Sequence, residues 1–214
     1  MAYAKKIVLI GAGSLQFGLG TVGSIFKSKI LEGSTITLHD INAENLNLAT
    51  EACLTAKKEQ EVNFIIESTL DRKEALQEAD FIISSIEVTP RFDLWDQDLD
   101  IPRELGNKQM MGENGGPGGL FHSLRIIPPI LEICGDVMNI CPNAWFINFS
   151  NPMSRICLAI HRKYPKFKVV GLCHEIGFVE ETLPKMLNTT YENLDFKAGG
   201  LNHFGVILEI KYKD

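Results

Sequence analysis

The chain has 214 residues, 45% of them hydrophobic, and carries 21 Lys and Arg against 27 Asp and Glu, a formal charge of −6. This is an ordinary soluble composition, large enough for one big domain or for one domain with part of a second. The acidic balance, with basic residues only in isolated pairs such as Lys57-Lys58 and Arg162-Lys163, excludes a nucleic-acid footprint, and no uncharged apolar run is long enough for a membrane span.

Lys5 to Ile10 reads as a short buried strand that Gly11-Ala12-Gly13-Ser14 turns into a helix reaching about Ile30. Ser34 to His39 is a second strand ending on Asp40, and a helix follows to about Lys58, with Leu46, Ala49, Ala52 and Ala56 at helical spacing. Val62 to Ile66 and Phe81 to Ile86 are further strands, joined by a short helical connection. Continuous apolar strands alternating with helices predict an α/β fold, a parallel Rossmann-type sheet with helices on both faces. Trp95 to Leu105 is expected to be helical and Gly112 to Gly119 an irregular loop. Next comes a long apolar helix, bent or restarted at Pro128-Pro129. Trp145 to Phe149 is the fifth strand, Asn151-Pro152 starts a helix, and Val169 to Leu172 is the sixth. Phe196 to Leu201 and Val206 to Tyr212 read as strands of something new. The expected division is a dinucleotide-binding domain over residues 1–195, with 196–214 the opening of a truncated α+β second domain.

Five cysteines (Cys53, Cys134, Cys141, Cys157, Cys173) without a secretory signal predict reduced thiols and a cytoplasmic protein.

A pyrophosphate needs close backbone approach at a helix N-terminus. Gly11 and Gly13 allow that approach, and Ser14 serves as a cap or donor. The third glycine of GxGxxG would fall at Gln16, whereas the next glycine is Gly18, which leaves helix packing open. Asp40, at the end of the second strand, suits the adenosine ribose hydroxyls and repels a 2′-phosphate, which favours NAD over NADP. Asp40 also fits a plain helix cap.

Asn151 stands at the mouth of the fifth strand, and Cys173-His174-Glu175 at the mouth of the sixth. Ligands of such sheets bind at that edge, and thiol, imidazole and carboxylate together suit a metal or acid–base cluster. His203, in a turn between two apparent strands, is a second candidate on a separate element. Alone, each also fits a structural role: Asn151 a helix cap, Cys173 an inert buried thiol, His203 a structural histidine.

The ordered set GAGS with an acid after the second strand, GPGG, NFSNPMS, GLCHE and GLNHF resembles glycoside hydrolase family 4 over essentially the whole chain. That family shares its nucleotide-binding fold with lactate and malate dehydrogenases, and its members are roughly twice this length. The resemblance implies an NAD-dependent glycosidase working by redox-assisted elimination and addition. The sugar is oxidised at C3, deprotonated at C2, loses its C1 substituent and gains water before reduction. It implies a divalent metal, manganese, on Cys173 and His203, with Asn151 as a substrate contact. A thiolate and an imidazole would by themselves suit zinc or iron(II). His174, Glu113 and Glu175 are competing candidates for the general acid, and the C2 base is expected beyond residue 214, leaving this chain inactive alone. The substrate would be an α-glycoside or α-galacturonide, and a homo-oligomer is expected of the longer protein. The rival readings are a 2-hydroxy-acid dehydrogenase of the lactate/malate type and a non-catalytic NAD-binding module. The dehydrogenases have an arginine after the sixth strand where this chain has Cys173-His174.

Overall fold

The computed structural model describes residues 4–108 and 114–213. Six strands, β1 (Lys6–Ile10), β2 (Thr35–His39), β3 (Ile65–Thr69), β4 (Phe81–Ser84), β5 (Trp145–Asn148) and β6 (Val169–Gly171), form one sheet in the order β3-β2-β1-β4-β5-β6. Every neighbouring pair is parallel. The expected Rossmann-type sheet is therefore present. Because β2 lies on one side of β1 and β4 on the other, connections leave the carboxyl edge in opposite directions and open a crevice there.

The alternation of β1 explains the two helical layers. Ile7 and Leu9 pack on one face against α1 (Gly20–Phe26) and α2 (Ala43–Glu59), through Val22, Phe26, Leu46 and Cys53. Val8 and Ile10 point the other way, toward α3 (Arg72–Leu76), α5 (Gly116–Ile140) and α6 (Met153–Lys163). There Ile126, Ile130 and Ile156 are fully buried, and truncating any one to Ala costs ~2–5 kcal/mol.

Several boundaries differ from expectation. The helix after β1 is not one piece: a π-helical turn (Leu15–Leu19) leads into α1, and a short 3₁₀ turn (Lys29–Leu31) follows. β3 starts three residues late, because Phe64 is spent as a core side chain packed against Phe26 while Ile65 begins the pairing with Thr35. As an edge strand β3 tolerates the polar residues Glu67, Ser68 and Thr69. Helix α4 (Arg91–Glu104) begins four residues before Trp95.

The irregular loop expected through Gly119 is corrected: α5 starts at Gly116 and runs unbroken past Pro128-Pro129. Pro117 sits in the first turn, where its missing N–H costs nothing, and Gly118 and Gly119 are buried, so packing overrides their low helix propensity. No helix is expected after Cys173-His174-Glu175, yet α7 (Glu175–Leu187) begins there despite Gly177 and Pro184. β7 (Leu194–Leu201) and β8 (Phe204–Tyr212) form a separate antiparallel hairpin, longer than the two expected strands. Among the described residues no helix is long and apolar enough to cross a membrane.

Candidate active site

A cleft of about 820 Å³ follows the carboxyl edge of the sheet. It runs from Asp40 and Asn42 beyond β2, past Gly11, Gly13 and Ser14, to Glu87 beyond β4 and Ser150-Asn151 beyond β5. Gly11 has φ +88°, and its N–H and that of Ala12 both donate to the His39 carbonyl, at 2.9 and 3.1 Å. A β-carbon on Gly13 would stand 2.7 Å from Cβ of Asn45. Glycine is thus required for shape at both places, and close backbone approach of this kind is what a pyrophosphate needs.

Gly18 answers the question left by the incomplete fingerprint. A β-carbon there would lie 2.1 Å from the Ala12 carbonyl oxygen. Gly18 is therefore the third, close-packing glycine, two residues late in sequence, and the π-helical turn absorbs the offset. The turn is held by Ser14, whose Oγ accepts from the Phe17 N–H at 3.4 Å and whose carbonyl accepts from Gly18 at 2.7 Å.

Asp40 is not the cap of α2, because Asn42 takes that role by accepting from the Asn45 N–H at 2.9 Å. The Asp40 carboxylate accepts from the Gly13 N–H at 2.8 Å and the Asn42 N–H at 2.9 Å. It ties the glycine turn to the exit of β2, and a carboxylate has further lone pairs able to accept from a donor in the cleft. Beside it, burial pushes His39 below its ordinary pKa of 6.5, against the hydrogen bond from its Nδ1 to the Thr69 carbonyl at 3.1 Å.

A second cleft of about 370 Å³ opens from the first, sharing Phe17, Arg91, Phe149 and Asn151. Cys173, His174, Glu175 and His203 line it, so residues thirty apart in sequence meet at one place. The cause is Glu175, whose carboxylate accepts the His203 N–H at 3.1 Å and the Gly205 N–H at 2.6 Å. The first residue of α7 thereby anchors the β7–β8 turn, where His203 has φ +60°, against the mouth of β6. His203 Nδ1 also lies 2.8 Å from the Asn114 amide nitrogen. His174 is exposed and packs edge-on to Phe17, ring centroids 5.3 Å apart, and against Phe149 at 5.8 Å.

Glu113 lies outside the described residues. Among the described residues no group of three His, Cys, Asp or Glu is placed to hold a metal. Cys173 and His203 alone would leave most of a metal's coordination positions open to substrate and water, so the donor set fits a catalytic rather than a closed structural ion. Elsewhere in the fold, burial pushes the thiol of Cys53 up to about 11 and that of Cys134 to about 12, and raises Cys141 and Cys157 as well. Arg91 and Trp95, which line this cleft, carry no motif that the sequence reveals; the signal for them is their position just after the exit of β4.

The model of the family 4 glycosyl hydrolases matches residues 6–189. The chain belongs to glycosyl hydrolase family 4. It is 57% identical to an α-glucosidase of Erwinia rhapontici over 99% of this chain and 47% of that one. A crystal structure of a 6-phospho-α-glucosidase from gut microorganisms, in complex with NAD and Mn2+, superposes with a TM-score of 0.86 at 24% identity, covering 99% of this chain and 48% of that one. A Thermotoga maritima 6-phospho-β-glucosidase with manganese, NAD+ and glucose-6-phosphate gives a TM-score of 0.80 at 25% identity, covering 97% and 50%. The chain thus spans about half the length of the relatives it matches. Family 4 membership sets aside the 2-hydroxy-acid dehydrogenase reading, in keeping with Cys173-His174 in place of an arginine after β6.

Proposed function

We propose that this chain forms the cofactor half of an NAD- and divalent-metal-dependent glycosidase acting on α-glucosides. The reading is carried by one observation: Asn151, Cys173, His174 and His203 converge in a cleft continuous with the dinucleotide crevice. The choice of α-glucoside over α-galacturonide rests on the 57% identity to an α-glucosidase, against 30% to an α-galacturonidase.

The proposed sequence is oxidation at C3, deprotonation at C2, loss of the C1 substituent, addition of water and reduction. Bound NAD supplies the hydride acceptor, and a bound manganese supplies a Lewis acid for the C2 and C3 oxygens. Asp40 accepts the adenosine ribose hydroxyls, while Gly11, Gly13 and the Ser14-capped turn receive the pyrophosphate. Cys173 and His203 hold the metal, and Asn151 orients the sugar at the edge shared by the two clefts. His174 is the general acid of this reading: its imidazole is exposed to the cleft and fixed by two aromatic rings, whereas both oxygens of Glu175 already accept backbone N–H groups. The β7–β8 hairpin is the start of a second domain, with the boundary near residue 195, which its separate sheet supports.

The test is hydrolysis of nitrophenyl α-glucoside, β-glucoside and α-galacturonide by a protein of the relatives' full length, with and without NAD and Mn2+. Cleavage of the α-glucoside that needs both additions and places deuterium at C2 in deuterated water is expected. Cleavage that survives removal of cofactor and metal, or proceeds without exchange at C2, rules the mechanism out.

A further inference from the structure

The exit of β4 carries a second acid facing the cofactor crevice. Glu87 lines that crevice, with about a fifth of its side chain accessible, and it has no part in the reaction described above. Its carboxylate is held from behind. His122, on the inner face of α5 and 2% exposed, places Nε2 at 3.1 and 3.2 Å from the two carboxylate oxygens, and the Val88 N–H donates to Oε1 at 2.9 Å. Facing a carboxylate, Nε2 bears the proton. Nδ1 of His122 is then a buried atom with no hydrogen-bond partner among the described residues. Leaving such an atom unpaired costs free energy that an apolar residue would not incur, so packing alone does not account for an imidazole at this place.

The position of Glu87 mirrors that of Asp40. β1 is central, Asp40 follows β2 on one side, and Glu87 follows β4 on the other. The glycine turn lies between them: the Ser85 N–H donates to the Ile10 carbonyl at 3.0 Å, and a β-carbon on Gly11 would touch the Ser85–Ile86 backbone at 3.2 Å. A dinucleotide has the same arrangement, one pyrophosphate flanked by two riboses, each with a vicinal diol. A carboxylate beside a pyrophosphate is unfavourable unless it faces hydroxyl groups that donate to it.

We propose that Glu87 binds the ribose on the nicotinamide side of the dinucleotide, and that His122 is the positioning residue that holds its carboxylate toward the crevice. This rests on the cofactor reading above. NAD and ADP separate the two halves of the site, since ADP has the adenosine ribose and the pyrophosphate but not the second ribose. In calorimetric titrations of the 214-residue chain, Glu87→Gln should weaken NAD about tenfold, the size of one charge-assisted hydrogen bond, and leave ADP within about twofold. His122→Gln should weaken NAD in the same selective way by a smaller factor, and unchanged ADP binding shows that both variants are folded. Equal weakening of NAD and ADP would place Glu87 in the fold or in the shared half, and no change in either would remove it from the site; both results overturn the proposal. A wild-type chain that binds neither ligand would instead overturn the cofactor reading itself and take this proposal with it.

Discussion

Gly18→Ala isolates the contact that closes the glycine turn after β1. The added β-carbon would start 2.1 Å from the Ala12 carbonyl oxygen and 3.0 Å from its carbonyl carbon. Real β-carbons do not approach closer than about 3.0 Å, so the turn and the helix must separate by about 0.9 Å, and both partners are backbone. Overpacking of this kind costs ~1–3 kcal/mol, and the absence of a side chain that could swing aside puts this case near ~3 kcal/mol. For a chain of this size each kcal/mol moves the melting temperature by ~2–4 °C, so a fall of ~6–12 °C is expected. Because Ala12 lies between the two glycines of the turn, NAD affinity should fall as well. Gly23 is the control: it lies inside α1, where an added β-carbon meets nothing within 4 Å. Gly23→Ala should therefore stabilise by ~0.5–1 kcal/mol through helix propensity alone. Thermal unfolding followed by circular dichroism, paired with NAD titration, reads both variants. A Gly18→Ala chain that melts with wild type would refute the close-packing role, and an equal loss in Gly23→Ala would assign the effect to the helix.

Asp40→Asn should weaken NAD about tenfold while bringing NADP closer to it, because one charge leaves the ribose 2′-oxygen; unchanged discrimination between the cofactors would show that Asp40 serves the turn alone. Cys173→Ser and His203→Asn should each abolish Mn2+ binding measured by electron paramagnetic resonance on the chain, and wild-type binding in both would separate these residues from the metal. Burial lowers the pKa of His39 below 6.5, so the unfolded chain takes up that proton first as the pH falls. The stability it contributes is complete above about pH 6.5 and is lost as the pH drops through the folded value. Melting curves from pH 8 to pH 5 should fall less steeply for His39→Gln, and parallel curves would show that other groups govern acid unfolding.

The sheet is legible in the sequence because buried parallel strands are continuous apolar runs, and five of the six begin within a residue of their expected places. β3 is misplaced because an edge strand has no second neighbour to demand apolar residues, so its second half, Glu67 to Thr69, is polar and carries no strand signal. The start of α5 and all of α7 are hidden by Gly and Pro, whose propensities count against a helix until packing decides otherwise. At Gly118 and Gly119 the lack of a side chain is compatible with deep burial in the helix, which no local pattern reveals.

The site divides along the same line. Gly11, Gly13 and Asp40 are readable because each stands within a few residues of a strand end, where backbone geometry is predictable. The same rule applied to β4 marks Glu87, an acid three residues past the last residue of that strand. The second cleft is different in kind. Cys173 and His203 stand on separate elements, and the group that joins them is Glu175, through two hydrogen bonds to the backbone of a hairpin turn. A carboxylate accepting distant N–H groups leaves no periodicity and no spacing in the sequence. As a motif, Cys-His-Glu suggests three chemical groups of equal standing; the fold distinguishes them by their partners. Glu175 is committed to the backbone that carries His203, His174 packs against Phe17 and Phe149, and Cys173 shares the cleft with His203. Removing the Glu175 carboxylate should therefore impair the cleft through the position of His203, even though Glu175 need never touch the sugar.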